Sequence, residues 1–264
     1  MTRGFVYSVS GETFIEEAIS SAQRAKEVMP DIPITMYADR PVRVDAVDAV
    51  HVWDAYEYDR GDSILEPEMC PYERNVFLDS DTYIARPVTD LFRALERYPL
   101  LITHSPGRVP VDGVPACIPE YNTGVIGYRR SPDVKECFRT WRTLFEKQRA
   151  ETGETRNQGP FTRALWESDL PALVVPREYN VRVPRAAYLN GDAKIIHGRH
   201  WDSLETVAER LNQDTSRRVY YRDEFIGPSD TQIIDAKGIP RLLRDAVTDY
   251  GVLGAARAAW RTIR

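Results

Sequence analysis

Short apolar runs, each closed by polar or turn-forming residues, alternate along the chain with longer stretches in which apolar positions recur every three or four residues. Phe5-Val6-Tyr7-Ser8-Val9 predicts a buried strand. After it, Phe14, Ile15, Ala18, Ile19, Ala22 and Ala25 form a stripe of helical period. That spacing predicts a helix over 13–28, with Ser10 as N-cap and Pro30 and Pro33 as its end. Further runs predict strands over 34–37, 50–53 and 75–78, the last leading straight into Asp79. A helix near 88–96 and a strand near 100–103 follow. Beyond them come a Pro- and Gly-rich loop over 105–119, a strand over 122–128, and helices over 134–150 and 163–167. Strands separated by a helical segment imply βαβ units and a mixed, mostly parallel sheet flanked by helices, an α/β fold. Ligands of such sheets bind beyond the carboxyl ends of the strands, so the polar strand ends at Ser8 and Asp79 matter most.

The chain has 264 residues, within reach of one α/β domain with a large core. No repeat or low-complexity linker divides it, but its composition shifts after Trp201. The expected organisation is therefore a main domain over 1–202 and a helical appendage over 203–264. Net charge is −5, which argues against a general nucleic-acid surface, since neutralising phosphates needs a basic excess. Cys70, Cys117 and Cys137 form no CxxC pair, which fits a reducing compartment better than a disulfide framework or a zinc site. The first residues lack an apolar signal-type core, and no apolar run is long enough to span a bilayer. A cytoplasmic protein is expected. The last stretch, 239–264, carries Arg241, Arg244, Arg257, Arg261 and Arg264 against Asp245 and Asp249, five positive charges to two negative. Its apolar positions fall at helical spacing and include Trp260. Such a helix either docks on the main domain or makes peripheral contact with an anionic membrane.

Three segments carry candidate chemistry. In Val76-Phe77-Leu78-Asp79-Ser80-Asp81-Thr82 an apolar strand delivers two carboxylates two residues apart. In extended backbone these point the same way, as a hard cation such as Mn²⁺ or Mg²⁺ requires. The alternative is a solvated acidic turn. In Ile195-Ile196-His197-Gly198-Arg199 another short strand ends in a possible third ligand, His197, whose plainer reading is a hydrogen-bonded core histidine. Gly198 would let a phosphate approach the backbone, and Arg199 could grip it bidentately. In Tyr121-Asn122-Thr123-Gly124-Val125 an amide precedes a tight backbone position; it either meets a ligand or caps its own turn.

The order of these blocks resembles the glycogenin-like and galactinol-synthase-like retaining glycosyltransferases of the GT-A fold. The similarity covers roughly the first three quarters of the chain, on the length expected of one domain. It runs from the first strand and turn over 6–14, through 71–82 with Thr89-Asp90-Leu91-Phe92 behind it, to 121–125 and His197-Gly198. The resemblance implies a metal-dependent transferase acting on a nucleotide-diphosphate sugar, a UDP-sugar in preference to GDP, with an acceptor the sequence does not name. It implies Asp79, Asp81 and His197 as ligands of Mn²⁺ or Mg²⁺. Arg74 and Ser80 would contact the donor, and Tyr7, Ser8 and Val9 would line the nucleoside pocket. Phe14 falls where a family aromatic stacks on uracil, with core packing as its plainer reading. Asn122 would touch the donor sugar, and Gly198 and Arg199 would take the diphosphate. Where the family has Asp-Gln this chain has Asn157-Gln158, so a hydrogen-bonding amide replaces a negative charge beside the transferred sugar. A haloacid-dehalogenase-type phosphohydrolase fits less well, because its Asp-x-Asp-x-Thr spacing fails by one residue at Thr82. A sugar-nucleotide-binding protein without turnover is the other alternative.

Overall fold

A computed structural model describes residues 2–107, 109–221 and 224–226. The first half comprises β1 (Arg3–Val9), α1 (Glu12–Val28), β2 (Ile34–Ala38), β3 (Ala49–Val52), β4 (Arg74–Leu78), β5 (Thr82–Ile84), α2 (Thr89–Ala94) and β6 (Leu100–His104). It continues with β7 (Tyr121–Arg129), α3 (Pro132–Thr152), α4 (Gln158–Glu167), β8 (Ala172–Val174), β9 (Val181–Arg182), β10 (Ala187–Leu189), β11 (Ile195–His197), α5 (Leu204–Gln213), β12 (Arg218–Tyr221) and β13 (Glu224–Ile226). Seven strands form the main sheet in the order β3-β2-β1-β4-β7-β6-β8. All run the same way except β7, which is antiparallel to both neighbours. From β1 the chain moves outward to β2 and β3, then returns to lay β4 on the other side of β1. The order therefore reverses between β1 and β4, and the crevice beyond their carboxyl ends is where such sheets bind ligands.

Both faces of the sheet are covered, which is why its strands read as continuous apolar runs. Phe5, Tyr7, Val9, Val76 and Leu78 pack with α1 and α2 residues such as Ala18, Ala22 and Phe92. Val6 and Phe77, which alternate with them, pack with Phe138, Trp141, Phe145 and Phe161 of α3 and α4. A smaller sheet, β5-β11-β9, carries the chain after the acidic turn, and β10-β12-β13 forms a third. Both contribute to a separate cluster containing Val181, Leu189, Ile196, Val207, Leu211 and Tyr220, so α5 and β12 pack onto the strands that precede them. Among the described residues no helix is long and apolar enough to cross a membrane. The basic segment 239–264 lies outside the described residues.

Two helix starts differ from the sequence reading. Ser10 is not the cap of α1; Gly11 is, at φ 80°, and its N–H donates to Asp39 at 2.9 Å. The Ser10 hydroxyl instead donates to buried Asp62 at 2.5 Å. α4 begins at Gln158, five residues before the expected helix: the Asn157 carbonyl accepts from Phe161 N at 3.1 Å while its side chain is held by the 60–63 turn. By contrast α3 has the ends its local sequence encodes: Ser131 accepts from Val134 N, Pro132 opens the first turn, and Gly153 closes the last at φ 72°.

Trp141 joins the two helices on this face. Its ring lies 4.7 Å from that of Phe161, and its Nε1–H donates to the carbonyl of Asn157 at 2.9 Å. Trp141→Ala should therefore cost about 3–5 kcal/mol of stability, measurable by urea unfolding.

Candidate metal centre and cleft

The acidic turn is fixed from three sides. Asp79 N donates to Gly124 O on β7 at 2.8 Å, continuing the ladder one residue past β4. Thr82 Oγ1 donates to Asp79 O at 2.8 Å and so closes the turn. Thr82 also meets Ser21 of α1, and Ser21 meets Tyr7 of β1, at 2.9 and 3.0 Å. Tyr7 is thus fully buried and spends its hydroxyl on this chain. It supports the turn from behind and is not among the residues that line the cleft described below. Burial raises its pKa well beyond that of an ordinary phenol, so the hydroxyl stays protonated.

β5 then pairs antiparallel with β11, setting Thr82 opposite His197. Gly198 N donates to Asp81 O at 2.9 Å and closes that ladder. Gly198 sits at φ +112°, and a Cβ there would lie 3.1 Å from Pro184, so the backbone itself requires glycine. His197 Nε2 lies 3.4 Å from Asp79 Oδ2 and 3.2 Å from Asp81 Oδ1. One donor atom from each of the three falls within 4.8 Å of the others. The ring fits because Gly124 has no side chain: a Cβ there would sit inside the imidazole. Burial works against a charged imidazole, yet its hydrogen bonds to Asp79 and Asp81 prevail and raise the His197 pKa above the ordinary value. Burial alone would raise the Asp81 carboxyl. The hydrogen bond from His197 and the charges of His197, Arg182 and Arg199 outweigh it and bring the pKa down to about 2. Two carboxylates and one imidazole, crowded where their own like charges need compensation, are a fitting donor set for Mn²⁺ or Mg²⁺.

The cluster opens into a cleft of about 930 Å³. Of the predicted residues, Ser8, Val9, Phe14, Ser80, Asn122, Asn157, Gln158 and Arg199 line it together with Asp79, Asp81 and His197. Phe14 is 47% exposed, which settles its alternatives against core packing. The Arg199 guanidinium lies over its ring, 5.2 Å from the centroid. Two hydrogen bonds of 2.7 and 2.8 Å tie that guanidinium to Glu17, which also accepts from Ser80 at 3.0 Å. Sequence reasoning missed Glu17, although its place three residues after Phe14 puts both on one side of α1. It also missed Arg182, whose Nη1 is 2.5 Å from His197 Nε2. Asp62 was missed as well. It accepts from Ser10 Oγ, Glu57 N and Tyr58 N, holding the cleft wall in which Tyr58 takes φ 60°. Ser8 braces the same wall by donating to Asp62 O at 2.7 Å.

Arg74 does not reach the cleft. It stands at the amino end of β4, opposite to Asp79, and its Nη1 donates to Phe92 O at 3.0 Å and Glu96 Oε1 at 2.5 Å. Asn122 lines the cleft, yet its Oδ1 accepts from its own chain at Gly124 N, 3.0 Å away, as the turn-capping alternative required. Asn157 is likewise committed. Its Nδ2 donates to Arg60 O at 3.0 Å and Ser63 Oγ at 2.9 Å, and its Oδ1 accepts from Thr123 at 3.1 Å. Both amide hydrogens are used, so the residue latches the 60–63 turn to the start of α4. This gives a local reason for an amide at this position: a carboxylate could not donate to the Arg60 carbonyl. Asn157→Asp should destabilise the protein by about 1–3 kcal/mol, since the Arg60 carbonyl would lose its amide donor, keep only the Ser63 hydroxyl and face a charge. Thermal unfolding above the carboxylate's titration range measures it.

No protein-family model matches the chain, and no curated protein matches it in sequence. Solved structures do match its fold. The glycosyltransferase GlyE of Streptococcus pneumoniae TIGR4 superposes with a TM-score of 0.54 at 13% identity, covering 82% of this chain and 58% of that one. The galactosyltransferase LgtC, solved with donor and acceptor sugar analogs, gives 0.53 at 10% identity and covers 80% of this chain and 94% of its own. The bifunctional WbbM apo structure gives 0.51 at 13% identity, over 77% of this chain and 47% of that one. The chain thus spans little more than half the length of GlyE. At these identities the likeness is one of architecture, and the architecture is the GT-A fold.

Proposed function

We propose that this chain is a metal-dependent glycosyltransferase that takes a sugar from a nucleotide-diphosphate donor, of the uridine type, and passes it to an acceptor hydroxyl with retention of configuration. One observation carries the reading: Asp79, Asp81 and His197 converge at the carboxyl end of β4, at the strand-order reversal of a GT-A fold, in a cleft large enough for a nucleotide sugar. The LgtC structure, which holds donor and acceptor sugar analogs in the same architecture, supports it.

A divalent cation held by Asp79, Asp81 and His197 would supply positive charge to the departing diphosphate. Arg199 is placed to share that task. Its guanidinium is anchored to Glu17 through Nε and one terminal nitrogen, so donor edges remain for a second anion. Phe14 offers an exposed ring for the base, and Ser8 and Val9 a wall beside it. Gln158, at the first turn of α4, faces the cleft and is the amide left to hydrogen-bond the sugar or acceptor, since Asn157 is spent on the protein itself. Retention is favoured because the cleft carboxylates outside the cluster are committed to the protein or stand in solvent. Asp59 is held by Arg149 and Gly61 N, Asp62 accepts three hydrogen bonds, and Glu12 is exposed. The acceptor proton then goes to the leaving phosphate.

Asp79→Ala and Asp81→Ala should each abolish sugar transfer while leaving the fold intact by circular dichroism. UDP with Mn²⁺ should raise the melting temperature of the wild type and not of either variant. Stabilisation by GDP in preference to UDP would overturn the uridine assignment, and wild-type turnover by either variant in limiting Mn²⁺ would overturn the metal assignment.

The raised His197 pKa gives a second test. Its imidazole holds two protons up to a higher pH than an ordinary histidine, so a cation must displace one of them. Calorimetric Mn²⁺ affinity should climb with pH until that raised value is passed and then level off. Asp81, already ionised above about 2, adds no slope there. A flat profile through the histidine range would remove His197 from the ligand set.

A further inference from the structure

Four buried polar side chains behind the acidic turn form a chain whose hydrogen-bond directions can be deduced without observing a proton. It starts at a group of fixed polarity: the backbone N–H of Gly124 can only donate. The Asn122 atom 3.0 Å from it is therefore the amide oxygen. That oxygen can only accept, so the Asn180 atom 2.7 Å from it is the amide nitrogen. The second hydrogen of that nitrogen goes to Thr103 Oγ1 at 2.8 Å. The other end of the Asn180 amide is then its oxygen, which lies 2.7 Å from His197 Nδ1. An oxygen facing Nδ1 requires a proton on Nδ1. Thr103, Asn122, Asn180 and His197 are all 4% exposed or less, so water does not rewire the sequence of donors and acceptors.

We infer that Asn122 and Asn180 are positioning residues that fix the tautomer of His197, keeping the proton on Nδ1 and the lone pair of Nε2 toward Asp79 and Asp81. The relay is needed because those two carboxylates pull the other way. Each lies within 3.4 Å of Nε2 and would accept a charge-assisted hydrogen bond from it. A lone imidazole in that setting would settle as the Nε2–H tautomer and present a proton where a cation should go. Asn180 Oδ1 opposes this from behind, and Arg182 Nη1, 2.5 Å from Nε2, opposes it from the cleft side by donating to the lone pair. Outer hydrogen bonds of this type orient a histidine ligand and raise its affinity for metal. The inference rests on the metal reading of Asp79, Asp81 and His197 for its purpose, whereas the tautomer belongs to the metal-free protein.

The test is therefore made first without metal. Long-range proton–nitrogen correlation spectra, recorded above the His197 titration and assigned with His197→Gln, report which ring nitrogen carries the proton. The wild type should show Nδ1–H. Asn180→Asp keeps an acceptor against Nδ1 and should keep that tautomer. Asn180→Leu removes it and should move the ring to Nε2–H. Mn²⁺ alone, titrated by calorimetry, should bind Asn180→Leu about 10–100-fold more weakly than the wild type, while Asn180→Asp stays near it. An Nε2–H ring in the wild type overturns the inference whether or not any variant folds. So does an Asn180→Leu protein that retains both the Nδ1–H tautomer and wild-type Mn²⁺ affinity. Correct tautomers with no Mn²⁺ binding by the wild type would leave the relay standing and overturn the metal centre instead.

Discussion

The centre depends on a missing side chain. Residue 124 sits in the middle of β7, buried on both faces, where a larger residue would ordinarily strengthen the strand. Here the space a Cβ would fill belongs to the His197 ring. The same residue gives its carbonyl to Asp79 N and its N–H to Asn122 Oδ1. One glycine thereby makes room for the imidazole, holds the first aspartate and orients the relay that keeps the ring proton on Nδ1. β7 can do this because it is the reversed strand: the antiparallel ladder sets Val125 opposite Leu78 and so brings residues 122–124 alongside the acidic turn just beyond β4. A parallel strand at that place would have carried its 122–124 segment toward the opposite edge of the sheet.

Much of the main sheet was legible because its strands are buried on both faces and therefore spell uninterrupted apolar runs. The acidic pair, His197 and the Asn-Thr-Gly block were legible for the related reason that polar residues at the ends of such runs stand out. The departures have a physical cause. Arg74 and Tyr7 were assigned from the family resemblance and Ser10 from its place before a helical stripe, and neither ground says which end of a strand, which face or which distant partner a side chain serves. Arg74 occupies the wrong end of β4, Tyr7 the face turned to α1, and Ser10 answers to Asp62, more than fifty residues away. The two small sheets left almost no trace, since most of their strands are two or three residues long and carry no period. Glu17 meets Arg199 and Asp62 meets Ser10, partners distant in sequence that the helical spacing of Glu17 and Phe14 alone does not name.

The electrostatics of the cleft follow a common scheme, in which several strong charges are already answered by the protein. Glu17 answers Arg199, Arg149 answers Asp59, and Glu120 answers Arg156 through both of its oxygens. Asp79 and Asp81 share His197 and lie in the field of Arg182. A ligand that brings a cation and two phosphate charges together adds no net charge to this arrangement. It would exchange partners within it: a cation on the imidazole would replace Arg182, and Arg199 would offer a free edge to the phosphate while Glu17 keeps the other. The cost of desolvating the anion falls on groups that are already held in place.

The pairing of β5 with β11 also bears on the order in which the molecule is put together. Asp79 and Asp81 lie more than a hundred residues ahead of His197, and the chain passes through α2, β6, β7, α3, α4 and β8 to β10 before it reaches β11, the partner of β5. Contacts of such long separation form late, since the loop must be closed before they give anything back. During synthesis the two aspartates leave the ribosome well before their histidine. A growing chain at that stage would offer a cation two carboxylates and no imidazole, which comes only when β11 pairs with β5. Tight binding of a cation by all three groups would thus be a mark of completed folding.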